Sequence, residues 1–222
     1  MGYTFHFRDV FAAQDALLHG LVLTLQLTGT TILFGFVIGL CVAVASVYGS
    51  TGAKRAARAY VELIRNTPLL VQLFVVFFGL PSIGVKLDVI PVATIGLAIN
   101  LGAYTAEILR AGIESIPRSQ VEAGIALGLT RSQIFRHVVL IPALRNVYPS
   151  LTSQFILLML ATSVASQIAA PELFYAGSII QSRTYRDFEV YTVIAVVYLA
   201  LALMLRLLLA LGSRLLFRRR RR

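Results

Sequence analysis

The side chains that could do chemistry in this sequence are few and scattered. Its three histidines, His6, His19 and His137, lie too far apart to suggest a metal site, and its one cysteine, Cys41, sits in an apolar run where a free thiol packs as a small hydrophobe. Neither of its two lysines, Lys54 and Lys86, ends a G-x-x-x-x-G-K phosphate loop, and there is no serine elbow or HExxH. No catalytic residue, metal site or cofactor of its own is therefore expected. Two sets of polar residues remain. One is a continuous polar interruption, Ser115 to Arg145. The other is scattered through apolar runs: Gln72, Asn100, Glu107 and Arg110, then Ser153, Gln154, Thr162, Ser163, Ser166 and Gln167.

The interruption is too charged to cross a bilayer, and its pattern predicts two short helices joined at a corner. Pro117 suits a first helical turn, Val121, Ile125 and Leu129 fall at i, i+4 and i+8, and Gly128 can take the left-handed conformation that ends a helix. Thr130 and Gln133 have capping-box spacing, after which Ile134, Phe135, Val138 and Val139 form a second apolar face. A short amphipathic pair between membrane spans is a docking surface or a structured loop, and periodicity alone does not separate the two.

The wording of this stretch resembles the cytoplasmic EAA loop of ABC-importer permeases: Glu122-Ala123-Gly124, three residues, Gly128, then nine residues to Val138-Val139-Leu140. The flanking text, with Tyr104, Glu107, Arg110, Pro117 and Arg118, is similar specifically to the polar amino acid permeases, as is Glu62-Leu-Ile-Arg65-Asn-Thr67-Pro68-Leu-Leu-Val-Gln72 some fifty residues earlier. One departure is Ile141, which stands between Leu140 and Pro142 where the family pattern has proline at once. The resemblance implies an all-α membrane protein with five transmembrane helices in the MetI-like fold of type I importers. It also implies that Glu122, Ala123, Gly124 and Gly128 fit a cleft of a partner ABC ATPase dimer, which binds the ATP and Mg. The further partners implied are a second permease subunit, identical or related, a periplasmic solute-binding protein, and a polar amino acid as substrate. Gln72, Asn100, Gln154, Thr162, Ser163 and Ser166 are the candidates for the substrate path. Many relatives carry a lysine and an aspartate near Met159 and Ala161; this chain has neither.

Composition supports the membrane class independently. Of 222 residues, 58% are hydrophobic and 14% charged, with mean hydropathy +0.81, more apolar surface than a soluble domain of this size could hide. Spans are expected at about 17–48, 57–80, 92–109, 147–170 and 190–213, after an outer segment 1–16 without a removable signal peptide; the permease domain as a whole runs over 17–217. Gly35, Gly39 and Ala43 make a small-residue seam on the first span for close helix packing. The second apolar run is short, so its helix is expected to start upstream, with Ala56, Tyr60 and Ile64 along the membrane surface and arginines reaching the headgroups. Glu107 and Arg110 at i, i+3 predict a pair that holds the start of the loop. Around 171–189 the charges Arg183, Arg186, Asp187 and Glu189 belong either to a gate facing the binding protein or to a solvated loop.

The net charge of +10 is parcelled between hydrophobic segments, which argues against nucleic acid and for orientation. Fifteen basic residues fall on the side of the Ser115–Arg145 loop and four on the other. The positive-inside rule then predicts an amino terminus outside, a cytoplasmic loop 115–145 and a cytoplasmic tail Arg218 to Arg222 held on anionic lipid, in a bacterial inner membrane. Two other classes compete with an importer subunit. A self-contained channel or ion-coupled carrier would need an intramembrane charge, for which only Glu107 and Arg206 offer themselves; a membrane-anchored interaction protein would make the polar stripes accidental.

Overall fold

The structure, a computed structural model, describes residues 4–216; the basic tail Arg218 to Arg222 lies outside the described residues. Within that range the chain is helical throughout: α1 (Arg8–Ala12), α2 (Gln14–Tyr48), α3 (Thr51–Arg65), α4 (Leu69–Ser82), α5 (Val89–Glu114), α6 (Arg118–Ala126), α7 (Arg131–Gln133), α8 (Ile141–Ala161), α9 (Leu173–Thr184) and α10 (Asp187–Leu216). A wide π turn, Ile134–Leu140, joins α7 to α8, and a tight 3-10 segment, Thr162–Ile168, follows α8. Four helical stretches are long and apolar enough to cross a membrane, and α3 with α4 makes a fifth span if the bent pair counts as one.

The bundle is built on α2 against α5. Gly35 and Gly39 are buried there, and a Cβ on either would come within 2.7 Å of Leu101 or 2.5 Å of Thr105. With Ala43 fully buried as well, the small-residue seam does what its spacing predicts: it lets α5 approach the α2 backbone. Leu27, Leu73, Leu97 and Leu101 form the centre of the core where α2, α4 and α5 meet. Cys41 departs from expectation. It is exposed on the outside of the bundle, because it precedes the buried Ala43 by two positions and so faces away from the seam.

The second span is not the single helix expected over 57–80. It is two helices whose axes differ by 107°, broken at residues 66–68. Pro68 has no N–H to continue α3, and it disfavours helical backbone in Thr67. The freed carbonyls are met locally: Asn66 Nδ2 donates to Glu62 O at 2.8 Å and Thr67 Oγ1 to Leu63 O at 2.9 Å. α3 turns part of its apolar face onto the bundle. From the turn at Gly49–Ser50 it doubles back beside α2 and α5, where Ala57 is buried and the Tyr60 hydroxyl donates to Ile99 O at 2.6 Å. Ile38 of α2 and Tyr60 both press on Gly102.

The fourth span also differs. It does not begin near Val147; the helix runs from Arg131 through to Ile168, so the second helix of the loop is the inner end of the span itself. Ile141 and Pro142 stand directly after the π turn, whose i→i+5 bonding takes in a residue more per turn than an α-helix, so the intervening Ile141 is absorbed without a corner. At the other end the expected α-helix to Ala170 tightens into the 3-10 segment and stops at Ala169, which has φ 61°.

Candidate functional site: the coupling loop and its neighbours

The loop is held rigid by short-range bonds. At the end of α6, Leu129 N–H reaches Gly124 O at 3.1 Å and Gly128 N–H reaches Ile125 O at 2.9 Å. That pair of bonds is the Schellman arrangement, and it places Gly128 at φ +73°, the left-handed region that favours glycine. Thr130 then caps the next helix reciprocally: Gln133 N–H donates to Thr130 Oγ1 at 3.3 Å and Thr130 N–H to Gln133 Oε1 at 2.8 Å. Ile113, Ile116, Ile134, Val139 and Ala143 pack beneath, with Val121, Leu129, Phe135 and Val138 against them. Asn146 Nδ2 donates to Ser115 Oγ at 3.3 Å and ties the two ends of the loop together.

This scaffold sorts the predicted coupling residues. Glu122, Ala123 and Gly128 are exposed, whereas Gly124 is buried, its Cβ position 3.1 Å from Ile134. Its smallness therefore serves the approach of the loop's own second helix. The i, i+4, i+8 face does not hold as a unit: Val121 and Leu129 pack inward, but Ile125 is 62% exposed. Beside it Leu127 is 79% exposed, so the outer surface of α6 presents two large apolar side chains flanking Glu122, Ala123 and Gly128. Sequence reasoning missed Leu127 altogether. The signal was its place next to a glycine that ends the helix, since the C-cap of a short surface helix points outward.

At the loop's start Arg110 holds two carboxylates at once. Its guanidinium donates to Glu107 at 2.6 and 3.1 Å and to Glu114 at 2.6 Å. The i, i+3 pair is present as its spacing predicts, and Glu114 adds a third member.

The path candidates fall into three groups. Gln72 and Asn100 are hydrogen-bonded to each other, Asn100 Nδ2 to Gln72 Oε1 at 2.9 Å, while Gln72 Nε2 donates to Ile64 O at 2.7 Å and to Thr67 O and Oγ1. They brace the α3–α4 bend against α5. Thr162 is fully buried and donates to Met159 O at 2.6 Å. Ser163 and Ser166 spend their hydroxyls on Leu160 O and Ser163 O, each at 2.7 Å, and Gln154 is partly exposed on α8. Because the 3-10 segment turns through three residues instead of 3.6, Thr162 and Ser166 do not extend the face begun by Gln154. The stripe expected at helical spacing is therefore broken.

The loop 171–189 is not a solvated one throughout, since Glu172 and Glu189 are fully buried. Glu172 caps α9, accepting the N–H groups of Phe174 (2.9 Å) and Tyr175 (2.8 Å) and the Tyr198 hydroxyl of α10 (2.5 Å). Burial pushes its carboxyl above the usual carboxylate range, against the pull of those bonds. Next to it Leu173 N–H donates to Thr24 Oγ1 of α2 at 3.1 Å. Glu189 accepts His6 N–H at 2.8 Å and so fastens the amino-terminal segment to α10.

A bundle with a capped, exposed loop helix between spans defines a class. The family model for the binding-protein-dependent transport system inner membrane component matches residues 31–222, and the chain belongs to that family. Among individual relatives, it is 39% identical over 168 residues to the probable glutamine ABC transporter permease protein GlnM of Bacillus subtilis, covering 76% of this chain and 78% of that protein. It is 35% identical over 207 residues to the glutamine transport system permease protein GlnP of Escherichia coli K12, covering 92% and 94%. Among solved structures, an amino acid ABC transporter crystallised with histidines superposes with a TM-score of 0.86 at 36% identity, over 96% of this chain and 99% of that one. The inward-facing MetNI methionine ABC transporter shares the fold, with a TM-score of 0.77 at 24% identity over 91% and 97%. The chain is thus a membrane permease subunit of an ABC importer and not an enzyme; ATP hydrolysis belongs to a separate ATPase.

Proposed function

We propose that this chain is the permease of an importer for polar amino acids, that α6 is the element through which the ATPase moves it, and that it works beside a second permease subunit, identical or related. The observation that carries the coupling role is the exposed surface of α6. Ile125 and Leu127 flank Glu122, Ala123 and Gly128 on a helix closed at its C-terminus by the Schellman bonds and followed at once by the Thr130–Gln133 capping box. Apolar side chains held rigidly in water are what a protein partner's cleft buries. Since α7, the π turn and α8 form one helix, a push on the loop would reach the fourth span without a hinge. ATP and Mg belong to the ATPase pair, a binding protein delivers solute at the other face, and the amino terminus lies outside. The amino acid substrate is supported by the glutamine permeases at 39% and 35% identity and by the amino acid transporter at 36%.

The test is affinity purification of the tagged chain from its native membrane, with identification of co-eluting proteins and an ATPase assay. An ABC ATPase should co-elute, and replacing Glu122 should lower solute-stimulated hydrolysis. A chain that comes out alone and moves solute into liposomes without ATP would make the carrier reading the correct one.

A further inference from the structure

At the loop-side end of the bundle a cleft of about 610 Å³ opens between α2, α3 and α5. Ser46, near the end of α2, and Glu114, the last residue of α5, both line it, so it lies where the spans leave the hydrocarbon and meet lipid headgroups. Along α3, Lys54, Arg58, Glu62 and Arg65 fall at i, i+4, i+8 and i+11, and all four line the cleft. Four basic and three acidic side chains meet there in all, but they are not equally available. Arg110 holds Glu107 and Glu114, each at 2.6 Å. That leaves Glu62 as one carboxylate against Lys54, Arg58 and Arg65, none of which enters an ion pair among the described residues. Arg65 sits over the Tyr104 ring at 5.3 Å, a contact that orients the guanidinium without supplying it an anionic acceptor.

Two positive charges are therefore in excess within one concavity, and an anion seated among them offsets their repulsion. Level and charge together name the occupant. The loop side is the side rich in basic residues, which by the positive-inside rule faces the anionic cytoplasmic leaflet, and a basic pocket between spans on that side takes phosphate headgroups. Val42, Ala57, Val61 and Ala106 line the same cleft and give an apolar wall for the glycerol backbone and the first methylenes of the chains. We propose that this cleft holds the phosphodiester of an anionic phospholipid, phosphatidylglycerol or cardiolipin. Arg58 and Arg65 donate to the phosphate oxygens, and Lys54 adds to the field that draws them in. Phosphatidylethanolamine carries the same phosphate but no net charge, so the excess favours the anionic lipids over it. A headgroup seated there ties α3 to the end of α5 that carries the Arg110 trio and leads into the loop. This lipid site goes beyond the importer reading and does not depend on which solute is carried.

The test is native mass spectrometry of the full chain, alone and with its ATPase, in a neutral detergent micelle supplied with equal amounts of phosphatidylglycerol and phosphatidylethanolamine of the same acyl chains. Such a micelle has no charged surface to gather lipid diffusely, so retained adducts report a site on the protein. Wild type should retain phosphatidylglycerol over phosphatidylethanolamine by about tenfold, the factor that one hydrogen bond to a charged group contributes. Arg58→Gln and Arg65→Gln should each lose most of that preference. Arg55→Gln, on the same helix but outside the lining, should keep it, and Glu62→Gln, which removes the opposing carboxylate, should increase it. Equal retention of the two lipids by wild type overturns the site whether or not the variants fold. A loss in Arg55→Gln as large as that in Arg58→Gln does the same, because it marks a diffuse basic surface. Excess inorganic phosphate should leave the lipid in place; if it displaces the lipid, the cleft takes a soluble phosphate and the proposal is wrong. Disappearance of the adduct when the ATPase is bound would give the cleft to an acidic segment of that partner and overturn the proposal as well.

Discussion

At the scale of single residues, the loop depends on one backbone conformation. Gly128 has φ +73°, and no atom lies within 4 Å of where its Cβ would be, so a side chain there would meet strain and not a clash. The left-handed conformation costs most residues about 1–2 kcal/mol and asparagine less. Gly128→Val should therefore disturb the Schellman turn, leave membrane insertion intact and separate ATP hydrolysis from uptake, while Gly128→Asn should keep most of the coupling. Uptake and hydrolysis measured together in proteoliposomes decide the point, and normal uptake by the valine variant would refute it. Leu127 makes a different prediction. At 79% exposure it contributes little to the fold of the chain alone, so Leu127→Asp should leave thermal stability unchanged and weaken association with the ATPase by about tenfold or more. Pull-down of the ATPase by the variant measures this, and undiminished recovery would show that α6 does not dock through this face.

At the scale of elements, two polar knots tie helices together across the bundle. Gln72 uses its amide on both sides of the α3–α4 break and on Asn100 of α5, so Gln72→Leu leaves buried carbonyls and an amide without partners. A loss of about 2–3 kcal/mol is expected, read as a lower unfolding temperature in detergent, against little change for Gln154→Ala. Glu172 joins α9 to α10, with Thr24 of α2 bonded to the next backbone N–H. Glu172→Ala strands three donors and should cost about 2–4 kcal/mol, while Glu172→Gln, which keeps acceptor oxygen, should recover much of it. Neither knot was legible in the sequence, since each needs a partner from a distant helix; Gln72 read only as a path residue. What was legible was local. The Thr130–Gln133 box, the left-handed Gly128 and the Gly35–Gly39–Ala43 seam each carry their cause within a few residues. The bend at residues 66–68 lay between the two cases. Pro68 announced a helix start, but a 107° turn follows only once Tyr60 and Gln72 anchor both arms on α5.

At the scale of the whole molecule, the distribution of charge sets the orientation, and the orientation decides which partner meets which face. By the positive-inside rule, fifteen basic residues on the loop's side against four on the other predict α6 in the cytoplasm and the turn at 83–88 outside. The two sides can be read separately because the chain has a single cysteine, and Cys41 is exposed on the bundle surface, where serine replaces it without opening a cavity. In a Cys41→Ser background, Ile83→Cys puts a thiol at a position 74% exposed between α4 and α5, and Leu127→Cys puts one at the tip of α6. A membrane-impermeant maleimide applied to intact spheroplasts should label the cysteine at 83 and leave the one at 127 until the membrane is opened. Labelling of 127 from outside would invert the protein and, with it, the faces assigned to the ATPase and the binding protein. Labelling of 127 that appears only on opening and then falls when the ATPase is present would place that partner on α6 in the same experiment, because a thiol seated in a cleft is closed to the reagent.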